Sequence, residues 1–182
     1  GSLVLKGRIH LPCIGSLCWA CGAMLPTRCA PAVGWRASLI DLYRIFLMKT
    51  KPELELADLK LIAAAAEAEA LKNHWAVTIA IVDDGGHLLW LQRLDGAPAI
   101  SAHIAPAKAH TAALGRRESK GYEDVINGGR TSFLSAPTVQ GMLEGGVPIM
   151  KDGQCLGAVG VSGVKSSEDA QIARAGIAAI AL

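Results

Sequence analysis

A lysine and a threonine at helical spacing are the first residues of this chain that could hold a ligand. Lys108 and Thr111 are three positions apart, so they share one face of a predicted helix. A lysine ammonium can hold a carboxylate, and a threonine hydroxyl can donate a hydrogen bond or bind weakly to a metal. The same spacing also permits two structural roles, in which Lys108 pairs with an acid and Thr111 bonds back to its own helix.

A glycine-rich turn is predicted to lie beside this helix face. It contains Gly145 and Gly146 and ends at Pro148. Glycine in such a position allows the backbone to come close to a ligand or to another element. The helix and the turn together therefore form one hypothetical ligand pocket.

Arg93 and Asp95 could extend that pocket, because they flank the end of a predicted strand. A guanidinium can clamp an anionic ligand, and it can equally pair with the carboxylate of Asp95 or Asp169. Asp83 closes the preceding strand and is typical of a turn, where its carboxylate accepts backbone N–H groups. Pairing is the simpler interpretation of Arg93, since no nucleophile and base stand at a recognisable spacing.

Two histidines lie on the same predicted helix as Lys108. His103 and His110 are seven positions apart, so they share one stripe of a straight helix unless Pro106 disturbs it. A neutral imidazole is a good ligand for haem iron or a transition metal, although a histidine on a surface helix is more often solvated. His110 is the better candidate of the two, because it adjoins Lys108 and Thr111.

Other routes to catalysis find little support in the sequence. The segment GVSG (residues 160–163) lacks the spacing of a Gly-x-Ser-x-Gly nucleophile turn. Cys155 falls within an apolar strand, where a thiol behaves as a small buried hydrophobe. Cys18 and Cys21 form a C-x-x-C pair, but no regular element frames the further ligands that a zinc site needs.

Composition limits the classes of protein to which the chain can belong. It has 182 residues, of which 51% are hydrophobic and 19% charged, and this suits a compact domain with a real core. The sequence contains no uninterrupted run of about 18 apolar residues, so it predicts no helix that spans a membrane. The sequence has no basic stripe with interleaved aromatic residues, so nucleic acid is not an expected partner.

The first 47 residues differ from the rest of the chain. They carry five basic side chains and one acid, four of the five cysteines, and no sustained hydrophobic period. Met48 then begins a regular pattern. We therefore predict an extension over 1–47 (a tag, upstream translation or a targeting segment) and a domain over 48–182, with a cytoplasmic location unless the extension directs export.

From Met48 onward, the patterns predict an α+β domain with an antiparallel sheet covered by helices. An alanine-rich helix precedes a hairpin with a DGG turn, and a helix interrupted by Pro106 follows. A polar, irregular stretch over 119–135 then leads to a second hairpin and a last helix that runs to the chain end. The predicted helices are Leu56–Lys72, Ile100–Arg117 and Ser166 onward, and the strands are Trp75–Asp83, His87–Leu94, Val147–Met150 and Cys155–Ser162.

The glycines of GAVGVSG (residues 157–163) resemble a phosphate loop in spacing only. A dinucleotide fingerprint needs glycines in a turn that leads directly into a helix, whereas Gly157 and Gly160 fall inside an apolar strand. Glycine in a strand more often marks a bulge or a close approach of another element. We therefore predict a central strand that is crowded on both faces.

Four ordered motifs carry a resemblance to a known family. They are IVDDGGHLLWLQRLDGA, the helix pattern over 101–112, GGVPIMKDGQCLGAVGVSG and EDAQIARAG. Together they make residues 54–182 resemble the GlcG/HbpS family, which includes the C-terminal domain of PduO-type proteins.

The resemblance implies a profilin-like or PAS-like three-layer α/β/α fold with a central sheet of about five strands. It also implies a homo-oligomer, from tetramer to octamer, and haem or a related tetrapyrrole as the bound molecule. In the haem-binding branch a helix threonine is implicated in haem contact, which points to Thr111. A role as an accessory enzyme for a small organic acid, a diol or a quinone-like substrate, in glycolate or diol metabolism, is the alternative.

Overall fold

The computed structural model describes residues 50–138 and 140–182, and it contains four α-helices, one 3-10 helix and four strands in that part of the chain. The predicted extension over 1–47, with Cys18 and Cys21, lies outside the described residues. The helices are α1 (Leu56–Lys72), α2 (Ser101–Gly115), α3 (Lys120–Asn127) and α4 (Ser166–Ile177), with the 3-10 helix at Thr131–Ser135; the strands are β1 (Thr78–Asp83), β2 (Leu88–Arg93), β3 (Gly146–Lys151) and β4 (Gln154–Ser162).

The strands form one antiparallel sheet with the order β2-β1-β4-β3. Each hairpin supplies two neighbouring strands, and the pairing of β1 with β4 joins the hairpins. The α+β class predicted from the sequence is confirmed, whereas the expected count of about five strands is too high by one within the described residues. The chain between the hairpins forms α2, α3 and the 3-10 helix, so it adds no further strand.

The two faces of the sheet carry side chains of different size. Branched residues such as Ile79, Ile81 and Val159 pack with α1 and α4 on one face. On the other face Val82 and Ala158 pack against the alanines of α2. A Cβ at Gly160 would collide with the main chain of α2 at Ala105 and Ala109, so glycine allows this helix to lie close to the sheet.

The predicted crowding of β4 on both faces is confirmed, because this central strand is buried from Cys155 to Ser162. Several boundaries shift by one or two residues from expectation, and three differences are larger. β1 begins at Thr78 rather than Trp75, α2 continues through Pro106 without restarting, and α4 ends at Ile177, before the chain end. Within the described residues, the helices are too short or too polar to cross a membrane.

Candidate ligand-binding groove

Lys108 forms a buried ion pair with an acid from the opposite helical layer. Its Nζ donates to Asp169 Oδ2 at 2.8 Å and to the main-chain oxygen of Val161 at 3.0 Å. Lys108 is 3% exposed and Asp169 1%. Burial raises the pKa of the Asp169 carboxyl, while the hydrogen bond and the positive charge of Lys108 act in the opposite direction. The ion pair therefore connects α2 to α4 past the end of β4.

The two glycines of the predicted turn pack directly on this pair and on α2. A Cβ added at Gly145, where φ is +125°, would lie 2.8 Å from Lys108 Nζ and 2.9 Å from the oxygen of Val161. A Cβ at Gly146 would collide with the main chain of Lys108 and lie 2.9 Å from Ser119 Oγ. Gly145 thus requires glycine because of its positive φ and its contact with the ion pair, whereas Gly146 requires it because of a close approach to the main chain of α2. Both residues are buried.

Ser119 fixes the start of α3 to the same turn. Its Oγ donates to the main-chain oxygen of Leu143 at 2.5 Å and accepts from the N–H of Gly146 at 2.9 Å. The main-chain N–H of Ser119 also donates to the oxygen of Gly146 at 3.0 Å. These bonds set the position of α3 relative to residues 141–146.

Thr111 is fully buried on α2, and its Oγ1 donates to the main-chain oxygen of Ala107 at 2.9 Å. This is one of the two roles that the sequence left open for it. The hydroxyl proton is used within the helix, which leaves the oxygen lone pairs for any further contact.

His110 holds two other segments against α2. Its Nδ1 lies 3.1 Å from the main-chain oxygen of Gly86, in the turn between β1 and β2. Its Nε2 lies 3.1 Å from the main-chain oxygen of Thr138. His103 is exposed on the same helix. Within residues 50–138 and 140–182 no three His, Cys, Asp or Glu side chains group in a way that could hold a metal ion.

The remaining predicted site residues lie elsewhere on the sheet. Arg93 is exposed on the edge strand β2, two strands from Val161 and its contact with Lys108. Pro148 is on the opposite edge strand, β3, opposite Ala158 of β4. Asp95 lines a separate cavity of about 270 Å³, together with Glu67, Leu71, His74, Trp75, Ala76 and Leu94.

A groove lined by apolar and polar side chains lies between α3, the 3-10 helix and the segment that precedes β3. Two adjoining depressions of about 270 and 370 Å³ share Leu134, Gln140 and Met142. We call them together the α3 groove. Its other lining residues are Glu123, Ile126, Asn127, Ser135, Ala136, Pro137 and Leu143.

The segment that forms one wall of the α3 groove is held by the residues described above. A Cβ at Gly141 would collide with the main chain of Ala107 and Lys108, so this glycine brings the segment onto α2. His110 holds the same segment at Thr138, and Ser119 holds it at Leu143. Thus α2 and the turn at Gly145 and Gly146 hold one wall of the groove in position, although Lys108 and Thr111 do not line the groove.

Sequence reasoning missed the groove itself. Its apolar residues belong to short pairs separated by polar residues, and these pairs are Val125-Ile126, Phe133-Leu134 and Met142-Leu143. The one local signal is the spacing of Glu123, Ile126 and Asn127, which places these lining residues on one face of the short helix α3.

Aromatic rings hold two arginines around α3. The guanidinium carbon of Arg117 lies 3.7 Å from the centre of the Tyr122 ring, and that of Arg130 lies 4.7 Å from the centre of Phe133. The two rings meet edge to face at 5.8 Å. One cation is therefore held before the start of α3, and the other after its end.

Cys155 carries a buried thiol near the start of the central strand β4. Its Sγ lies 3.6 Å from the main-chain oxygen of Ala113 and 3.4 Å from that of Gly157. Burial raises the pKa of this thiol, which disfavours the reactive thiolate. Its expected role as a small buried hydrophobe agrees with this position.

The fold and the groove define a single-sheet α+β domain with a partly apolar depression on one side. The sequence profile of the family described as haem degrading protein HbpS-like matches residues 54–178. The chain therefore belongs to the HbpS-like family, and the resemblance seen in its sequence motifs is confirmed.

Relatives of this chain agree with that assignment. Protein GlcG of Escherichia coli K12 is 56% identical over 115 residues, which are 63% of this chain and 85% of GlcG. Among solved structures, a double mutant of Streptomyces reticuli HbpS is 29% identical with a TM-score of 0.68, over 74% of this chain and 92% of that one. A complex of PduOC with haem is 29% identical with a TM-score of 0.65, over 71% of this chain and 96% of that one.

Proposed function

We propose that this protein binds haem or a related tetrapyrrole in the α3 groove. The apolar side chains that line that groove, with the thioether of Met142 in its wall, are the observation that carries the proposal. Haem is present in the PduOC complex, and the family is described as haem degrading. Both relationships favour the same class of ligand for this chain.

The groove fits a flat, largely apolar molecule. Ligand pockets usually enclose about 300–1,000 Å³ and combine apolar walls with a few polar groups. Ile126, Leu134 and Leu143 would contact the faces and edges of a porphyrin, and the Met142 sulfur belongs to a class of side chain that can bind haem iron. When bound, haem supplies an iron centre that can exchange ligands and electrons.

The residues beneath the groove would act by holding its walls. Lys108, Gly145 and Gly146 set the position of the turn before β3, and His110 holds the adjoining segment. A direct contact of Thr111 or His110 with haem, as the resemblance implies, is a competing proposal that the same experiment separates.

The test is a titration of the full chain with haemin, followed through the Soret band. We expect saturable binding at one site per chain. Leu134→Arg, which puts a charge at a 67% exposed groove position, should weaken binding at least tenfold without loss of helix content. Met142→Leu keeps the apolar volume and removes the sulfur, so it should shift the Soret maximum if sulfur binds the iron.

The controls decide where the ligand binds. Leu61→Arg adds the same charge at a 53% exposed leucine of α1 and should leave binding unchanged. Thr111→Val removes only a buried hydroxyl and should have little effect. Non-saturable broadening of the Soret band in the wild type would refute haem binding, and a loss confined to Thr111→Val or His110→Ala would move the site from the groove to α2.

One observation favours the alternative function as an accessory enzyme. Asp95 shares its cavity with the carboxylate of Glu67 and the imidazole of His74, which are groups able to move protons. Turnover of glycolate, short diols or hydroxylated aromatics that is lost in Asp95→Asn would support this function. Absence of turnover with all three substrate classes would refute the alternative function as an enzyme.

A further inference from the structure

The imidazole of His110 has a hydrogen-bond acceptor next to each of its two nitrogens. Nδ1 lies 3.1 Å from the main-chain oxygen of Gly86, and Nε2 lies 3.1 Å from that of Thr138. A carbonyl oxygen cannot donate, so each contact needs an N–H on the ring. A neutral imidazole carries one N–H and one lone pair, whereas an imidazolium carries two N–H groups. Both contacts are therefore hydrogen bonds only when the ring is protonated.

The ionisable side chains of the elements around His110 are bound to other groups or exposed to solvent. They are Asp83 and Asp84 where β1 ends, which contact His87 and Lys51 respectively, and on α2 Lys108, which is bound to Asp169, and the exposed His103. The segment 136–143 carries no ionisable side chain. Among the described residues, no carboxylate lies within ion-pair distance of His110. Its half-buried ring therefore exchanges its proton with solvent under the influence of two carbonyl oxygens.

One of the two contacts of His110 lies in a wall of the α3 groove. Thr138 is flanked by Pro137 and Gln140, which both line the groove. The same wall is held to the rest of the domain at Gly141, through close approach to α2, and at Leu143, through a serine hydroxyl. Neither of these two contacts contains a group that titrates near neutral pH. Among the three, the contact at Thr138 alone depends on a titratable ring.

We propose that proton uptake by His110 regulates the α3 groove. The imidazolium holds Thr138 and Gly86 at once, so the groove wall and the turn between β1 and β2 are both fixed to α2. Loss of the proton leaves one N–H for two acceptors, and the wall then opens more often. Histidine is the side chain whose charge ordinarily changes between pH 5 and 8. This inference rests on the proposed binding of a tetrapyrrole in the groove, whose release the wall would control.

The direction of the effect follows from the protons that each form of the wall binds. The closed wall gives the charged ring a second acceptor that the open wall does not provide, so the closed form binds the proton more tightly. The closed form is therefore favoured as the pH falls, and it loses this advantage as the pH rises. A porphyrin that leaves through the open form should dissociate more slowly at pH 5.5 than at pH 8.

Hydrogen exchange of the full chain without ligand tests the wall itself. Each rate is divided by the intrinsic rate of an unstructured peptide at the same pH, which gives a protection factor. Between pH 8 and pH 5.5, protection of peptides over 136–143 should rise about threefold to tenfold, the effect of one further hydrogen bond. Peptides over 155–162, in the central strand, should not change and report any effect on the whole domain. His110→Gln keeps a neutral donor but cannot take up a proton, so its wall should show no such rise.

Haemin dissociation tests the link to the ligand. The complex is mixed with excess apomyoglobin at pH 8 and at pH 5.5, and transfer is followed through the Soret band. The wild type should release haemin about threefold to tenfold more slowly at pH 5.5, beyond any change in His110→Gln, which reports the effect of pH on haemin itself. His103→Gln and His87→Gln are the matched controls. They remove an imidazole from the same helix and from the neighbouring turn, and both should keep the wild-type dependence.

The possible failures are distinguishable. Wild-type protection over 136–143 that does not change with pH, or that changes equally in His110→Gln, overturns the regulation and leaves haem binding intact. A wall that responds to pH while haemin dissociation does not follow it also overturns the regulation. A wild type that binds no haemin at either pH refutes the proposed function, and the control of ligand release falls with it.

Discussion

At the level of single residues, the ion pair between Lys108 and Asp169 is costly to break. A charge buried in a protein interior is tolerated when a partner of opposite sign and hydrogen bonds replace its hydration. Here the carboxylate has two partners, because Asp169 Oδ1 also accepts the N–H of Val164 at 3.3 Å. Removal of Lys108 would leave that buried carboxylate without a counter-charge.

We therefore expect Lys108→Met to lower the free energy of unfolding by about 3–5 kcal/mol at neutral pH. Burial already raises the pKa of Asp169 above that of the unfolded chain, and removal of Lys108 would raise it further. The folded variant would then bind a proton more readily than its unfolded form. Its deficit relative to the wild type should consequently shrink as the pH falls from 8 to 5. Urea unfolding at several pH values measures this.

Two controls test that explanation. Lys108→Met combined with Asp169→Asn removes both charges and should be more stable than the single variant. Arg174→Met breaks an exposed pair with Glu118, of 2.8 Å between Nη2 and Oε2, and should cost at most about 1 kcal/mol. A pH-independent deficit in Lys108→Met, unchanged in the double variant, would mean that lost packing rather than an unpaired charge is responsible.

At the level of elements, three separate segments depend on one imidazole. His110 connects α2 to the turn between β1 and β2 through Gly86, and to the segment after the 3-10 helix through Thr138. A Cβ at Gly86, where φ is +80°, would lie 2.8 Å from Cε1 of the ring. Residues 136–137, 140 and 142–143 also line one wall of the α3 groove, so the order of that wall depends on α2.

Replacement of His110 by alanine should therefore loosen this wall more than it affects the whole domain. A neutral imidazole donates to one of the two carbonyl oxygens, and loss of that hydrogen bond, worth about 0.5–1.5 kcal/mol, should speed local opening by roughly threefold to tenfold. Hydrogen exchange of peptides over 136–143 and 84–87 measures the effect. His103→Ala, at an exposed position of the same helix, should leave both peptides unchanged. Equal exchange in the two variants would show that His110 does not hold the segment.

The hairpins and α1 could be predicted from the sequence because their signals are local. β-Branched residues alternate in β1, and the turns DGG and KDG carry the residues that such turns prefer. The two roles of Lys108 could not be separated, since Asp169 is 61 positions away in the chain. Nothing in a local pattern predicts such a contact.

The α3 groove could not be predicted for the same reason. Its wall depends on the approach of Gly141 to the backbone of Ala107, which follows from tertiary packing rather than from periodicity. Pro106 shows the opposite case. It lies inside α2 although a proline disfavours helix interiors, because packing of the alanine face against the sheet outweighs the lost hydrogen bond.

At the level of the whole molecule, the two edges of the sheet differ. β3 carries Pro148, which cannot donate a backbone hydrogen bond and is typical of a protected edge. β2 carries Leu88, Leu89 and Leu91, which are 40–51% exposed, and it pairs with β1 alone among the described strands. An apolar strand with a free edge favours association with a second strand, so β2 is the edge at which we expect the homo-oligomer implied by the resemblance to form.

Light scattering coupled to size-exclusion chromatography tests this expectation. The full chain should elute as an oligomer, and Leu89→Lys with Leu91→Lys should lower its mass, because charges on an edge strand oppose pairing. Leu61→Lys with Leu71→Lys is the matched control, since these leucines are 53% and 58% exposed but lie on α1. A mass that falls only in the control pair would assign the interface to α1. A wild type that elutes as a monomer would refute self-association, and the exposed leucines of β2 would then be an uncovered edge.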